Sequence, residues 1–253
     1  MSLQVRSTVR RAKAVLFDLG NTLVRYFERS EFPAILEQAI LQVRDYLDEE
    51  GLLAVSAETM WRRVRRDDYE AEDHRVRPLE ERLGRIFAIE PAPAPDWARR
   101  APARPLERAE AMCRRFTRPI FACGRCYEDA LPALQQLRAE CVKTALVSNT
   151  PWGSPGALWR EELARLGLSG SLDVVVFCTD VGWRKPAGPI FERALALLGA
   201  EPRDCLFVGD DPRWDLAGAR AVGIPAILLD RRGGTAGVEE GSIQNLHELW
   251  DKL

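Results

Sequence analysis

The sequence predicts a doubly wound α/β fold, a parallel sheet covered by helices on both faces, with an all-helical domain inserted into it. Three observations support this fold class. Five short apolar runs have the composition of buried strands, helical patterns separate the last four runs, and more than 100 residues with little strand character separate the first run from the second. Strands that alternate with helices along the chain are typical of parallel sheets.

The predicted strands are rich in Val, Ile, Leu and Phe and do not alternate with polar residues, as expected of strands covered on both faces. They are Ala14–Phe17, Thr144–Val147, Val174–Phe177, Leu206–Val208 and Ala226–Leu229. Four segments have apolar residues at three- and four-residue spacing, which predicts amphipathic helices. These segments are Glu128–Glu140, Leu158–Leu166, Ile190–Leu198 and Trp214–Val222.

The long segment after the first strand is predicted to be an inserted helical domain, because a compact domain rarely contains so long a loop. Helical patterns cover Pro33–Glu50, Ala57–Asp73, Leu79–Ala88 and Leu106–Phe116. A proline-rich stretch at Pro91–Pro95, followed by Pro102 and Pro105, favours a stiff linker between the last two helices. We therefore expect a core of residues 1–24 and 123–253 and a helical cap of residues 25–122.

Composition and charge exclude several classes of protein. The formal net charge is −2, with 36 basic and 38 acidic residues, so no global field favours nucleic acid or a membrane surface as a partner. No apolar run reaches the roughly 18 residues of a membrane span, and we expect a cytoplasmic protein.

The motif Cys123-Gly-Arg-Cys126 lacks the further ligands of a zinc site, which favours ordinary reduced thiols. The oligomeric state stays open.

Polar side chains follow four of the five predicted strands. Because ligands in open α/β sheets bind beyond the carboxyl ends of the strands, we expect these side chains to share one edge. They are Asp18 after the first strand, Ser148 and Asn149 after the second, Lys185 after the third, and Asp210, Asp211 and Asp215 after the fourth.

This set of residue types is suited to phosphate chemistry. Several carboxylates at one edge repel each other unless a cation neutralises them, and oxygen ligands select a hard ion such as Mg²⁺. A hydroxyl group and an ammonium group suit phosphate oxygens as a hydrogen-bond donor and a point charge. A carboxylate beside a metal-bound phosphoryl group is a plausible nucleophile.

The four motifs, in this order, resemble those of the haloacid dehalogenase superfamily, in which a helical cap is often inserted after the first motif. The resemblance covers roughly residues 12–24 and 125–232. It implies a Mg²⁺-dependent hydrolase, most simply a phosphatase that acts on a small phosphorylated metabolite. The catalytic residues implied are Asp18, as the nucleophile that forms an aspartyl-phosphate, and Lys185. The residues implied to bind phosphate are Ser148, Asn149 and Lys185. Mg²⁺ would bind the carboxylates of Asp18 and Asp210 and the Gly20 carbonyl. Asp211, Asp215 and Thr22 would support these ligands from behind.

One departure from the family pattern is Gly20. Phosphatases of this family usually carry a second Asp at that position as the general acid and base, whose loss typically removes roughly 10²–10⁴-fold in rate. The alternatives are a slow enzyme, an easily expelled leaving group, a substitute acid such as one of the cap cluster around His74, or a phosphate-binding or regulatory protein with little turnover.

Two other reactions of the superfamily fit the sequence less well. Carbon–halogen hydrolysis needs no metal, which makes the acidic residues after the fourth strand superfluous. Phosphonate cleavage needs a cap lysine, and the chain has no lysine between Lys13 and Lys143.

Overall fold

The computed structural model describes residues 12–67, 72–89, 104–233 and 242–253. Its centre is a five-stranded parallel sheet. The strands of the chain, in order, are β1 (Ala14–Phe17), β2 (Val24–Arg25), β3 (Arg125–Cys126), β4 (Lys143–Ser148), β5 (Val174–Phe177), β6 (Cys205–Gly209) and β7 (Ala226–Leu228). The sheet has the order β5-β4-β1-β6-β7, so the predicted α/β class and all five predicted strands are confirmed.

The first strand lies in the middle of the sheet because all four of its residues are apolar and fully buried. Phe17 pairs with Leu146 of β4 on one side and with Val208 of β6 on the other. Since all three strands are parallel, their carboxyl ends reach the same edge together. The register alone therefore brings together Ser148, the last residue of β4, and Asp18 and Asp210, which directly follow β1 and β6.

Helices cover both faces of the sheet, as the doubly wound fold requires. The helices are α1 (Phe32–Glu49), α2 (Ala57–Asp67), α3 (Leu79–Phe87), α4 (Arg104–Cys123), α5 (Ala130–Ala139), α6 (Gly156–Arg165), α7 (Cys178–Val181), α8 (Gly188–Leu198) and α9 (Ala217–Ala221). Helix α8 packs on one face, where Phe191 meets Phe207 of β6 with their ring centroids 5.4 Å apart. Helices α5 and α6 pack on the other face, in an apolar cluster that continues into the inserted helices.

The insertion contains the predicted helices, but two of them have different ends. Helix α4 was expected to stop at Phe116 and instead continues through Pro119 to Cys123. Its apolar face stays buried on both sides of the proline, at Phe116 and Ile120, and this packing outweighs the lost backbone hydrogen bond. The Pro91–Pro95 stretch and Pro102 lie outside the described residues.

Helix α2 was expected to reach Asp73; the described helix covers Ala57–Asp67, and residues 72–73 form a turn. The chain has already turned at Asp73, whose carboxylate accepts a hydrogen bond from the Arg75 N–H at 3.0 Å. His74 adopts a positive φ of 55°, which no helix accommodates. A third prediction, a single helix over Trp214–Val222, is replaced by a π-helical turn at Pro212–Leu216 followed by α9.

A short antiparallel ladder connects the insertion to the sheet domain, and the sequence did not predict it. Strand β2 pairs with β3, with Val24 opposite Cys126 and Arg25 opposite Arg125. Two-residue strands are too short to leave a periodic signal, which explains the omission. The chain enters and leaves the insertion through this ladder.

Two further expectations can be compared with the structure. All six cysteines are free thiols. In the described part of the chain, no helix is long and apolar enough to cross a membrane.

Candidate active site

Lys185 lies at the centre of the polar cluster at the carboxyl edge of the sheet. It is only 2% exposed, and its Nζ donates hydrogen bonds of 2.5 Å to Asp18 and 2.5 Å to Asp215. Burial alone would lower the pKa of the Lys185 ammonium, but the charges and hydrogen bonds of these two carboxylates outweigh it and raise the pKa above its ordinary value. Lys185 therefore stays cationic at neutral pH.

Asp18 is a buried carboxylate with fixed orientation. Its Oδ1 accepts a hydrogen bond from the Ser148 hydroxyl at 3.0 Å as well as the one from Lys185. Because both donors bind Oδ1, the plane of the carboxylate is set and Oδ2 is the oxygen that neither donor engages. A carboxylate held in this way is preorganised for attack on a group bound beside it.

Three carboxylates could hold a cation. Oxygen atoms of Asp18, Asp210 and Asp215 all lie within 4.8 Å of one another. Burial raises the pKa of Asp210, and the charges of Asp18 and Asp215 raise it further. Burial likewise raises the pKa of Asp215, against the opposing effect of Lys185. One ammonium group does not neutralise three carboxylates, and an all-oxygen donor set fits a hard divalent ion such as Mg²⁺.

The structure distinguishes Asp211 from Asp215, which the sequence left unranked. The Asp211 carboxylate accepts hydrogen bonds from the N–H groups of Arg213 at 2.8 Å and Trp214 at 3.1 Å, so it caps the π-helical turn. Asp215 is buried, contacts Lys185 and accepts a hydrogen bond from the Asp211 N–H at 3.1 Å. The geometry thus gives Asp215 the direct contact with the cluster and Asp211 a backbone-capping contact.

The remaining predicted residues occupy different positions. Asn149 and Gly20 line the cavity beside Asp18. Thr22 is fully buried, and its hydroxyl finds no hydrogen-bond partner within the described part of the chain. Gly20 is not among the glycines with positive φ, and a Cβ atom added there would meet no atom within 4 Å.

The cavity above Asp18 has a volume of about 500 Å³, which is ample for a small metabolite. Its walls include side chains that the sequence did not single out as functional, most notably Tyr26, Arg77, Arg82 and Arg184. Trp152 and Trp159 also line it. One sequence signal could have identified Arg82, because it occupies the apolar stripe of α3. Tyr26, Arg77 and Arg184 lie outside the helices and strands, where no periodicity marks a buried position.

The cap cluster around His74 contacts the core but lies beside the cavity. The ring of His74 packs edge-on against Trp214, with 6.0 Å between ring centroids. The carbonyl of His74 accepts a hydrogen bond from the Arg184 N–H at 2.8 Å, and the Val76 N–H donates to the Gly182 carbonyl at 3.0 Å. This segment of the insertion therefore pairs with the loop that carries Lys185.

Comparison with known proteins relates this chain to one family of hydrolases. The profile of the haloacid dehalogenase-like hydrolases matches residues 12–223. The phosphoserine phosphatase of Thermus thermophilus is 31% identical over 223 residues, which cover 87% of this chain and 82% of that protein. The glyceraldehyde 3-phosphate phosphatase of Methanopyrus kandleri is 30% identical over 224 residues, which cover 87% of this chain and 84% of that protein.

A solved structure shares the fold. The haloacid dehalogenase-type hydrolase YfnB of Bacillus subtilis has a TM-score of 0.57 and 14% identity, with 96% of this chain and 99% of that chain covered. That crystal structure contains magnesium and reveals interdomain movement in that protein.

Proposed function

The chain belongs to the haloacid dehalogenase-like hydrolase family, and we propose that it is a Mg²⁺-dependent phosphatase that hydrolyses a small phosphorylated metabolite through an aspartyl-phosphate on Asp18. The observation that carries the proposal is the environment of Asp18. Its carboxylate is buried, bonded to Lys185 and Ser148, and grouped with Asp210 and Asp215. The relatives described above, whose names are those of phosphatases of small metabolites, support the same reaction.

The reaction follows from what these side chains can do. Oδ2 of Asp18 attacks phosphorus, a new P–O bond forms, and the bond to the leaving-group oxygen breaks with its electron pair remaining on that oxygen. Water then attacks the phosphorus of the aspartyl-phosphate, the bond from phosphorus to Asp18 breaks with its electron pair remaining on the carboxylate, and inorganic phosphate leaves. The leaving-group oxygen takes up a proton from solvent, and the proton that the attacking water loses balances it. Lys185 and Ser148 supply positive charge and a hydrogen-bond donor to the transferring group, and such positioning and charge neutralisation account for most of the catalysis in phosphoryl transfer.

The metal ion would be held by the carboxylates of Asp18 and Asp210 and the carbonyl of Gly20, with Asp215 supporting them. When bound, Mg²⁺ supplies Lewis-acid stabilisation of the phosphoryl oxygens and offsets the repulsion between the carboxylates. We propose that residues 1–24 and 123–253 form the core that carries this chemistry and that residues 25–122 form the cap. The β2–β3 ladder at the junction supports this division.

A second candidate function is favoured by Gly20. A family member without the usual acid at this position can bind a phosphorylated ligand and turn it over slowly or not at all, as a binding or regulatory protein would. The space around a Cβ atom at residue 20 is open, since no described atom outside the adjoining residues lies within 4 Å of it.

The experiment that tests the proposal is a screen of phosphorylated metabolites for phosphate release, with wild-type protein and the Asp18→Asn variant, in Mg²⁺ and in EDTA. We expect hydrolysis only by wild type with Mg²⁺. Asp180→Asn, a change at another acidic residue near a strand end, is the matched control.

Three results would contradict the proposal. Activity of Asp18→Asn within tenfold of wild type would remove Asp18 as the nucleophile. Full activity in EDTA, or halide release from 2-haloacids, would favour the metal-free reaction. Tight binding of a phosphorylated compound without any turnover would support the binding protein.

A further inference from the structure

Arg82 is a cation in a position that α3 otherwise reserves for apolar side chains. The buried residues of this helix are Leu79, Arg82, Leu83, Ile86 and Phe87, the spacing of an apolar stripe. Arg82 is 6% exposed, and it lines the cavity that contains Asp18. A charge in such a place is costly unless it is paired or serves a ligand.

The hydrogen bonds of Arg82 within the described residues go to backbone carbonyls and not to a carboxylate. Its Nε donates to the carbonyl of Arg77 at 3.3 Å, and its Nη1 donates to the carbonyl of Asp67. The carboxylate of Asp67 is engaged by Arg85 at 2.8 Å instead. Among the residues that the structure describes, no carboxylate lies within ion-pair distance of Arg82. The two carbonyls therefore fix the guanidinium group in place without neutralising it.

Arg82 also contacts an aromatic side chain of the core, Trp152. Its guanidinium carbon lies 5.3 Å from the ring centroid of Trp152, which stacks on Phe116 at 5.4 Å. Trp152 belongs to the loop that follows Ser148, so Arg82 is fixed between the cap and the loop that is expected to bind phosphate. A planar guanidinium group held in this way matches a carboxylate or a phosphate, with which it forms paired hydrogen bonds.

We propose that Arg82 binds a second anionic group of the substrate, so that the preferred substrates are phosphate monoesters whose leaving group carries a carboxylate or another phosphate. This inference rests on the proposed phosphatase function, since it assigns the part of the substrate that Asp18 does not touch. In this proposal Arg82 determines specificity, and the groups assigned to the phosphorus are Asp18, Ser148 and Lys185. Esters of neutral alcohols leave its charge unpaired and are disfavoured.

The test compares three alkyl phosphates with similar leaving groups: propyl phosphate, 3-phosphonooxypropanoate and propane-1,3-diyl bisphosphate. Wild type should prefer at least one of the charged esters over propyl phosphate by roughly 10- to 100-fold in kcat/KM, the range for a hydrogen bond to a charged group. Arg82→Gln should reduce that ratio to near one, and Arg82→Lys should keep part of it. A ratio measured within one variant is independent of the fraction of protein that folds. The charged ester that wild type prefers shows whether the second anionic group is a carboxylate or a phosphate.

The matched control is Arg63→Gln. Arg63 is also a cap arginine that donates to helix carbonyls, those of Arg85 at 3.0 Å and Ile86 at 2.9 Å, but it does not line the cavity. For Arg63→Gln, the ratio of kcat/KM for a charged ester to kcat/KM for propyl phosphate should equal the ratio for wild type. Equal kcat/KM for all three esters in wild type, or a preference that survives Arg82→Gln, would overturn the role of Arg82 while leaving the phosphatase intact.

Measurements of ester binding test the role of Arg82 if the protein does not hydrolyse the three esters. If wild type hydrolyses none of the three esters, their dissociation constants are measured by calorimetry with Asp18→Asn and with the Asp18→Asn, Arg82→Gln double variant. Tighter binding of a charged ester that disappears in the double variant supports the anion site. Identical affinities for all three esters in both proteins would overturn it.

Discussion

Asn149 holds the backbone of Lys185 from two sides. Its side-chain carbonyl accepts a hydrogen bond from the Lys185 N–H at 2.8 Å, and its Nδ2 donates to the Lys185 carbonyl at 3.3 Å. The loop after β4 and the loop after β5 are therefore tied together at the residue whose ammonium group contacts Asp18. The side chain of Asn149, expected from the resemblance to bind phosphate, instead positions Lys185, and its own phosphate contact stays a prediction.

Replacing Asn149 with Ala should weaken both folding and catalysis. We expect kcat/KM to fall by roughly 10- to 100-fold, the usual effect of losing a residue that orients an active-site group. The free energy of unfolding should fall by about 1–2 kcal/mol, because the Lys185 N–H loses its partner. Steady-state kinetics and urea unfolding measure the two effects. Asn245→Ala, which removes a comparable backbone contact at the His247 N–H, should leave kcat/KM unchanged; a similar loss in both variants would contradict the prediction.

Adding the missing acid at Gly20 should speed the cleavage of poor leaving groups. The backbone at Gly20 accepts a side chain without strain, and the space around it is open. We expect Gly20→Asp to raise the turnover of alkyl phosphates by about 10-fold or more, with a smaller effect on aryl phosphates, whose leaving groups need no proton. Gly20→Asn has the same size without the acid and should show no gain. Equal gains in both variants would point to a cause other than proton transfer.

The stability of the metal-free protein should fall as the pH rises through neutrality. Burial and mutual repulsion raise the pKa values of Asp210 and Asp215 in the folded state. In the unfolded chain these carboxyl groups have their ordinary pKa of about 4. At pH values between about 4 and the raised pKa values, the folded protein therefore binds more protons than the unfolded chain. The free energy of unfolding then decreases with increasing pH in this range.

Urea unfolding in EDTA at several pH values measures this slope, and Asp210→Asn should make it shallower. Mg²⁺ should restore stability most at the higher pH, where its ligands are ionised. A slope in the wild type that equals the slope in Asp210→Asn would show that the cluster does not titrate as described.

Removing the hydroxyl of Tyr26 should stabilise the protein. Tyr26 is 8% exposed, and no hydrogen-bond partner for its hydroxyl lies among the residues that the structure describes. Burial raises the pKa of this phenol, and the charge of Glu162 raises it further, so the group is a neutral and unsatisfied donor. We expect Tyr26→Phe to raise the free energy of unfolding by about 1 kcal/mol. Tyr46→Phe, at a half-buried ring, should give no gain, and a loss of stability in Tyr26→Phe would reveal a partner for the hydroxyl.

The cap should close over the substrate, with hinges near Arg25–Phe27 and Phe121–Gly124. Closure would control the access of water during attack and release, and the β2–β3 ladder lies at the junction where the cap would turn. Opening must break the backbone hydrogen bonds Val76 to Gly182 and Arg184 to His74. Amide hydrogen exchange at Val76 and Arg184 should therefore slow in the presence of Mg²⁺ and a phosphate mimic. The Lys143 amide, bonded to the Lys13 carbonyl beside the sheet, is the control that should not change.

The sheet and the principal site residues could be predicted from the sequence for a simple physical reason. Buried parallel strands leave unbroken apolar runs, and the carboxyl ends of neighbouring parallel strands meet at one edge, so residues far apart along the chain were expected to be neighbours. Lys185 and Asp18, 167 positions apart, are the clearest case. The short β2–β3 ladder and the passage of α4 through Pro119 left no such signal, because they depend on packing against distant residues.

By itself, the sequence determined the fold class, the positions along the chain of the five strands, and the identity of the polar residues near their ends, since these follow from local hydrophobic patterns. It did not predict the order of the strands in the sheet. Only the tertiary structure decided what each side chain does there. The Asp211 carboxylate accepts a hydrogen bond from the backbone of its own turn, whereas the Asp215 carboxylate contacts Lys185. Arg82, which belongs to a cap helix, lies in the wall of the cavity beside Trp152. Side-chain direction depends on contacts between distant segments, and a local pattern contains no information about them.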